Sequence, residues 1–213
     1  EVNEHGVIAG TIFPEGTTHA RRHAVPAVWP GGVRTALDVG GAATPIIHAG
    51  AVGDDGTVGG WEYDVATSKR YAVRWVPDSK GVYGPMQRIS EVRHDTGNGS
   101  GGEVQTINPD GALHVTEPRQ HVPTNSDLIW QDGMITEVAG IPGQNPYAAT
   151  WDMNQEQDLA GSLSTGTRMD AAVWIGGAPQ VLPRQIDRSY LNQALAINDH
   201  EDVVVESFYP DGR

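Results

Sequence analysis

Cysteine is absent from this chain of 213 residues. Its absence excludes a disulfide scaffold, a thiol nucleophile and a zinc–thiolate site. The chain also has no apolar stretch that is long enough to span a membrane. Basic residues are few, because 14 Lys and Arg stand against 27 Asp and Glu and give a net charge of −13. Such a surface repels phosphate backbones and anionic lipid, so we expect neither nucleic-acid binding nor membrane insertion.

Turn-forming residues are abundant, with 27 Gly and 14 Pro. This composition favours many short strands and turns. Five related phrases recur along the chain, and each reads as a short strand, a tight turn and a second strand. They are NEHGVIAG from Asn3, GDDGTVGG from Gly53, NPDGALHV from Asn108, NQEQDLAG from Asn154 and NDHEDVVV from Asn198. The first three phrases have a glycine at the fourth position, whereas the last two replace it.

A second phrase ends on tryptophan in each of the first four units, at Trp29, Trp75, Trp130 and Trp174. A turn and a fourth apolar segment follow each tryptophan. The phrases begin at residues 3, 53, 108, 154 and 198, so each of these four units spans 44 to 55 residues. Four short strands in a unit of this length are typical of a β-propeller blade. A β-sandwich also has regularly spaced strands, but it gives no reason to repeat a turn and a tryptophan in register. We expect these four indoles to fill the space between neighbouring sheets.

The predicted fold is therefore all-β, a five-bladed β-propeller of four-stranded antiparallel blades. It forms a single domain over residues 1–213, with repeat units that begin near residues 3, 53, 108, 154 and 198. No tryptophan phrase follows Asn198 before Arg213. We therefore expect an incomplete fifth blade, which a further segment or a partner chain would complete.

The repeated phrases resemble the "HAF" family of extracellular repeats, whose units combine an Asn-x-x-Gly turn with a His-Ala-Phe-x-Trp strand. The similarity is clearest in ALAINDHEDVVV, VQTINPDGAL and HAVPAVWPGG, and it covers most of the chain. Glu201 stands where the family has its turn glycine. The resemblance implies a secreted, repeat-built β-propeller. It implies no particular activity, because the family is defined by its repeat.

In a propeller, function is expected on the face that carries the long loops. All four loops between second and third strands carry arginine, and connections between blades add further polar side chains. The candidate ligand-binding residues are Arg22, His23, Arg70, Arg119, His121, Arg168, His48 and Tyr147. Guanidinium and imidazole donors could hold sugar hydroxyls, carboxylates or sulfates. The alternative is that these side chains only keep hairpin tips soluble. Trp61 and Trp151 lie outside the tryptophan repeat and could serve either packing or a ligand.

Signals for catalysis and for metal binding are sparse. Only Glu103 and Asp152 lie near the inner strands as candidate paired carboxylates for glycoside cleavage. The helical His-x-x-x-His and His-Glu-x-x-His spacings and the serine-nucleophile motif are absent. We expect no metal and no cofactor, and an enzyme is the less favoured interpretation.

The sequence thus predicts a secreted binding module that recognises carbohydrate in a lectin-like manner, or another cell-surface macromolecule. Two alternatives stay open. One is a glycan-active enzyme, a glycoside hydrolase or lyase that uses axial carboxylates. The other is a structural or assembly subunit whose fifth blade is completed by a partner.

Overall fold

The computed structural model describes residues 1–13, 24–40, 46–89, 102–117, 126–139, 148–164, 168–184 and 191–208. This part of the chain is all-β, with several antiparallel sheets and no α-helix. Its one helical turn is the short 3₁₀ segment Pro30–Gly32. No helix among these residues is long and apolar enough to cross a membrane.

The strands fall into five successive units that follow the repeats in the sequence. Unit 1 contains β1 (Ile8–Ile12), β2 (Val25–Trp29) and β3 (Thr35–Ala36). Unit 2 contains β4 (Ile46–Val52), β5 (Val58–Asp64), β6 (Lys69–Trp75) and β7 (Gln87–Arg88). Unit 3 contains β8 (Glu103–Ile107), β9 (Leu113–Glu117), β10 (Ser126–Gln131) and β11 (Met134–Glu137). Unit 4 contains β12 (Ala148–Met153), β13 (Leu159–Ser164), β14 (Met169–Ile175) and β15 (Ala178–Val181). Unit 5 contains β16 (Leu191–Ile197) and β17 (Val203–Phe208).

Within each unit, consecutive strands pair in antiparallel order. Units 2 and 3 are separate four-stranded sheets, as the sequence predicts. Unit 1 has an additional antiparallel bridge between Val2 and Ile8, which pairs the residues before its first turn with β1. Units 4 and 5 are joined by one parallel pair, Met169 with Leu191. The repeats in the sequence therefore correspond to units of structure.

The first turn of every unit has the same conformation, including the two turns that lack glycine. The residue at its fourth position has a positive φ in all five units: Gly6, Gly56, Gly111, Gln157 and Glu201 have φ of 71°, 82°, 79°, 65° and 60°. In each case its N–H donates to the carbonyl three residues earlier, at 3.0–3.1 Å. The hydrogen-bonded framework of the turn therefore holds this position in the left-handed region even when the residue has a Cβ.

The inner strand of units 2 to 5 carries a β-bulge at one fixed place, three residues before the start of the turn phrase. The register shifts lie around Gly50, Gln105, Trp151 and Leu195. Because a bulge bends a strand and changes the direction of its side chains, its recurrence gives the four inner strands one common shape.

The repeated tryptophans pack between units, and this prediction is confirmed for three of the four. Trp75 and Trp174 are fully buried and Trp130 is 6% exposed. The indole N–H of Trp75 donates to the carbonyl of Asp38, and that of Trp174 donates to Ala139. Both acceptors follow the outermost strand of the preceding unit. Trp29 in unit 1 is only half-buried, because no described strand covers that side of unit 1.

Turn side chains connect three of the four successive pairs of units, the exception being units 2 and 3, because the turn of unit 2 starts with Gly53. The Asn3 amide donates to the carbonyl of Gly53, and the Asn154 amide donates to that of Asn198, at 2.8 and 3.2 Å. Asn108 makes a similar bond to Gln155. Units 3 and 4 also meet through the buried side chains of His114, Asp127 and Thr150, which are hydrogen-bonded together.

The described residues show no closed barrel or propeller. Unit 5 contributes two described strands, and the last of them exposes Val204 and Val205, at 60% and 38%. The five-bladed ring therefore stays a prediction, and so does the completion of its fifth blade.

Candidate ligand pocket

Three side chains of unit 2 form a row on one face of its sheet. His48 on β4 lies directly opposite Trp61 on β5. Trp61 is paired with Ala72 on β6, and Arg70 lies two residues before Ala72 on the same face. The His48 and Trp61 rings are stacked, with centroids 5.8 Å apart and planes at 10°. The Arg70 guanidinium carbon lies 4.2 Å from the centroid of the Trp61 ring.

A pocket of about 380 Å³ opens beside this row. Three units contribute to its wall: unit 1 through Thr11 and Phe13, unit 2 through the row, and unit 3 through Glu103. Phe13 is 57% exposed at the rim. The Thr11 hydroxyl bonds both the N–H and the carbonyl of Ala49, which fixes unit 1 against the inner strand of unit 2. The pocket therefore lies where units 1, 2 and 3 approach one another.

Arg70 and Glu103 form an ion pair at the pocket wall. Their side chains are 21% and 26% exposed. Because Glu103 belongs to β8 and Arg70 to β6, the pair connects units 2 and 3. Among the described lining residues, the pair places a donor group and an acceptor group side by side without a net charge.

His48 is the third polar group in this wall. Burial lowers its pKa, and the Arg70 cation lowers it further, while the Glu103 carboxylate acts in the opposite direction. The Nδ1 atom is buried without a hydrogen-bond partner among the described residues. It faces Gly50, where an added Cβ would lie 3.3 Å away. Glycine at the bulge therefore gives the imidazole the room to stack on Trp61.

The structure brings together two of the predicted ligand-binding residues, His48 and Arg70. Arg70 is the second residue of β6 rather than part of the preceding loop. Arg168 is exposed and immediately precedes β14. The remaining five predicted residues lie outside the described part of the chain: Arg22, His23, Arg119, His121 and Tyr147.

Arg70 and Arg168 do not occupy equivalent positions. Trp75 pairs with Val58 and Trp174 pairs with Leu159, so the two tryptophans align. Five residues before each tryptophan stand Arg70 and Met169. Arg168 is thus one position earlier, and a shift by one residue reverses the face of a strand. The described arginines therefore do not form a symmetric set.

The two candidate catalytic carboxylates are both engaged by protein groups. Glu103 pairs with Arg70, and Asp152 accepts a hydrogen bond from the backbone N–H of Ile197 at 3.0 Å. No group of three or more His, Asp or Glu side chains that could hold a metal ion occurs within the described ranges.

Trp61 was the signal for this pocket in the sequence, since it departs from the tryptophan repeat. The contribution of Thr11 and Phe13 from unit 1 could not be predicted, because it depends on how the units pack. The pairing of Arg70 with Glu103 across 33 residues could not be predicted either.

Comparisons with known proteins identify no family for this chain. No family model matches it, and no curated protein matches it. Among solved structures, TolB from Acinetobacter baumannii is weakly similar, with a TM-score of 0.34 and 12% sequence identity. The alignment covers 97% of this chain and 61% of the TolB chain, so this chain spans less than two thirds of that protein. A similarity at this level carries no argument about fold or function.

Proposed function

We propose that the five units are the blades of a β-propeller that works as a binding module. The support for a ring is the recurrence of one contact pattern between neighbours. A turn amide reaches the next unit between units 1 and 2, 3 and 4, and 4 and 5, and the indoles of units 2 and 4 donate to the preceding unit. A repeated step with one geometry closes into a ring when the rotation per unit is suitable.

The ligand class that the pocket fits best is carbohydrate, in a lectin-like site. The observation that carries this proposal is the half-buried Trp61 at the wall of a pocket that also presents Arg70 and Glu103. Indole rings pack against the C–H faces of sugars, while guanidinium donors and carboxylate acceptors bind hydroxyl groups. A pocket with apolar walls and few convergent polar groups is the usual form of a small-molecule site.

Binding is favoured over catalysis by the state of the two carboxylates. Glycoside cleavage requires one carboxyl group that gives a proton and a second that acts as base or nucleophile. Here Glu103 is neutralised by Arg70, and Asp152 accepts a backbone N–H. Both groups hold neighbouring units together, which is a structural role.

The proposal is tested by a glycan-array screen, followed by calorimetric titration of each hit. Trp61→Ala removes the aromatic surface, and we expect the affinity to fall by about tenfold, equivalent to about 1.4 kcal/mol. The matched control is Trp151→Ala, since Trp151 is also half-buried but does not line the pocket.

Two results would contradict the proposal. One is an array without any bound glycan. The other is a glycan whose affinity is unchanged in Trp61→Ala, because the ligand would then bind elsewhere on the molecule.

An extracellular location is part of the proposal, and its support is the resemblance of the repeats to the HAF family. Fractionation of the native source, with detection of the chain in the extracellular fraction, is the corresponding measurement.

A further inference from the structure

The charged side chains among the described lining residues of the pocket are already balanced without a ligand. Arg70 is a permanent cation and Glu103 is its partner. A ligand that carries a charge would have to compete with one member of this pair. A neutral hydroxyl group does not have this conflict, because it can accept from a guanidinium and donate to a carboxylate at the same time.

From this balance we infer that the pocket takes neutral pyranosides and discriminates against uronic acids and other anionic sugars. The inference rests on the proposed carbohydrate function and adds the charge class of the ligand. The expected position of the sugar has its hydroxyls at the Arg70–Glu103 pair and its C–H face toward Trp61.

The surroundings of the pair add to the discrimination. An anionic sugar bound to Arg70 would lie beside the Glu103 carboxylate, and the two negative charges would repel each other. Partial burial lowers the pKa of His48, so near neutral pH its ring adds little positive charge to this wall. The net charge of −13 for the whole chain opposes an anion as well.

Among the described residues, the other walls are apolar and add no further cation. Ala24, Ile46 and Ile47 complete the described lining together with Thr11 and Phe13. The Thr11 hydroxyl is occupied by the backbone of Ala49. Among the described lining residues, Arg70 is thus the one permanent positive charge.

The experiment compares matched ligand pairs that differ only at C6. The probes are methyl pyranosides and the corresponding methyl pyranosiduronates in gluco, galacto and manno configurations. Binding is followed by calorimetry and by the indole N–H signal of Trp61 in NMR spectra. We expect the intact protein to bind at least one neutral glycoside about tenfold or more tighter than its uronate partner.

The variant Glu103→Gln tests the cause of this selectivity. It removes the negative charge beside Arg70 and keeps the size of the side chain. We expect the uronate to gain about tenfold relative to its neutral partner, because the guanidinium can then form a charge-assisted pair with the ligand carboxylate. Thermal unfolding of the variant establishes that it is folded before binding is measured.

A matched control is available on the opposite face of the same sheet. Glu62 binds Arg88 with both carboxylate oxygens, at 2.7 and 3.0 Å, and Arg88 lies over Tyr71. These residues repeat the combination of carboxylate, arginine and aromatic ring outside the pocket. Glu62→Gln should therefore leave the selectivity between neutral and anionic glycosides unchanged.

The outcomes separate this inference from the proposal on which it rests. Tighter binding of a uronate by the intact protein would overturn the inference and leave carbohydrate binding standing. Unchanged selectivity in Glu103→Gln would overturn the role given to the ion pair. If none of the six probes shifts the Trp61 signal or releases heat, both the inference and the carbohydrate proposal fall.

Discussion

At the scale of single residues, the contact between units 3 and 4 depends on three buried polar side chains. The Thr150 hydroxyl donates to Asp127 at 2.6 Å, and its backbone N–H donates to the same oxygen at 2.7 Å. Since the hydroxyl proton is used in this way, the His114 ring donates from Nε2 to Thr150 at 2.6 Å. Burial raises the pKa of Asp127 to about 7 and lowers the pKa of His114 to about 3.

The two shifts act on stability with opposite signs. Between about pH 4 and pH 7 the folded chain keeps a proton on Asp127 that the unfolded chain loses, so this group makes stability fall as pH rises. Between about pH 3 and pH 6.5 the unfolded chain binds a proton at His114 that the folded chain does not, so this group makes stability rise with pH. The two slopes largely cancel over the window that they share.

Asp127→Asn should reveal this cancellation, because it removes the charge and keeps an oxygen that accepts from Thr150. We expect the variant to gain stability relative to the parent as pH rises from 4 to 7, by more than about 1 kcal/mol. The measurement is urea unfolding at pH 4, 5.5 and 7. Ile129→Val in the same strand is the control, with a loss of about 0.5–1.5 kcal/mol that does not depend on pH. Stability curves for Asp127→Asn that run parallel to the parent would refute this account.

At the scale of elements, the turn that opens each unit was predictable from sequence because its geometry is local. Asn3 and Asn154 accept backbone N–H bonds from four residues further along, at 2.8 Å in both cases. This Asn cap, together with the paired strands on either side, is sufficient to form the turn without glycine. Gln157 and Glu201 therefore adopt a positive φ that their Cβ atoms disfavour.

Glu201→Gly should relieve this strain. The substitution removes a left-handed cost of about 1–2 kcal/mol and adds the larger chain entropy of an unfolded glycine, so we expect a net gain of about 0.5–1 kcal/mol. Gly111→Ala at the equivalent position of unit 3 is the reciprocal variant and should lose about 1 kcal/mol. Chemical unfolding of both proteins measures the difference. A loss of stability in Glu201→Gly would show that the Glu201 side chain contributes more than its backbone costs.

The ligand pocket was less predictable than the turns, because its residues depart from the repeat. Arginine in four successive loops suggested a symmetric ring, but Arg70 aligns with Met169 rather than with Arg168. The offset is present in the sequence, because Arg70 stands five residues before its tryptophan and Arg168 stands six residues before its own. Trp61 corresponds to Ser162 in unit 4, three residues after the start of the second strand in each unit. Residues that recur in every unit form the shared core, whereas residues that differ between units, such as Trp61, form features of a single unit.

At the scale of the whole molecule, stability is distributed over contacts between successive units. Separate hydrophobic clusters lie at successive places along the series, and each is built mainly from neighbouring units. In such an array the free energy of unfolding is approximately a sum over units and their interfaces. Two places have no described neighbour that supplies an interface. One is strand β17 of unit 5, and the other is the side of unit 1 that faces away from unit 2, its outer side. The predicted ring would bring these two places together through the rest of the fifth blade.

Two tryptophan variants measure whether that interface exists in solution. Trp174 is fully buried and its indole N–H donates to Ala139 at 2.6 Å, so Trp174→Ala should cost about 3–5 kcal/mol. Trp29 occupies the same repeat position but is half-buried, and among the described residues it has no neighbour of the kind that covers Trp174. If the outer side of unit 1 is open, Trp29→Ala should therefore cost about half as much or less. Urea unfolding of the two variants gives both values under the same conditions. Equal losses in the free energy of unfolding would mean that the outer side of unit 1 is covered in solution, as the closed ring requires. A clearly smaller loss for Trp29→Ala would mean that the 213 residues alone leave the ring open.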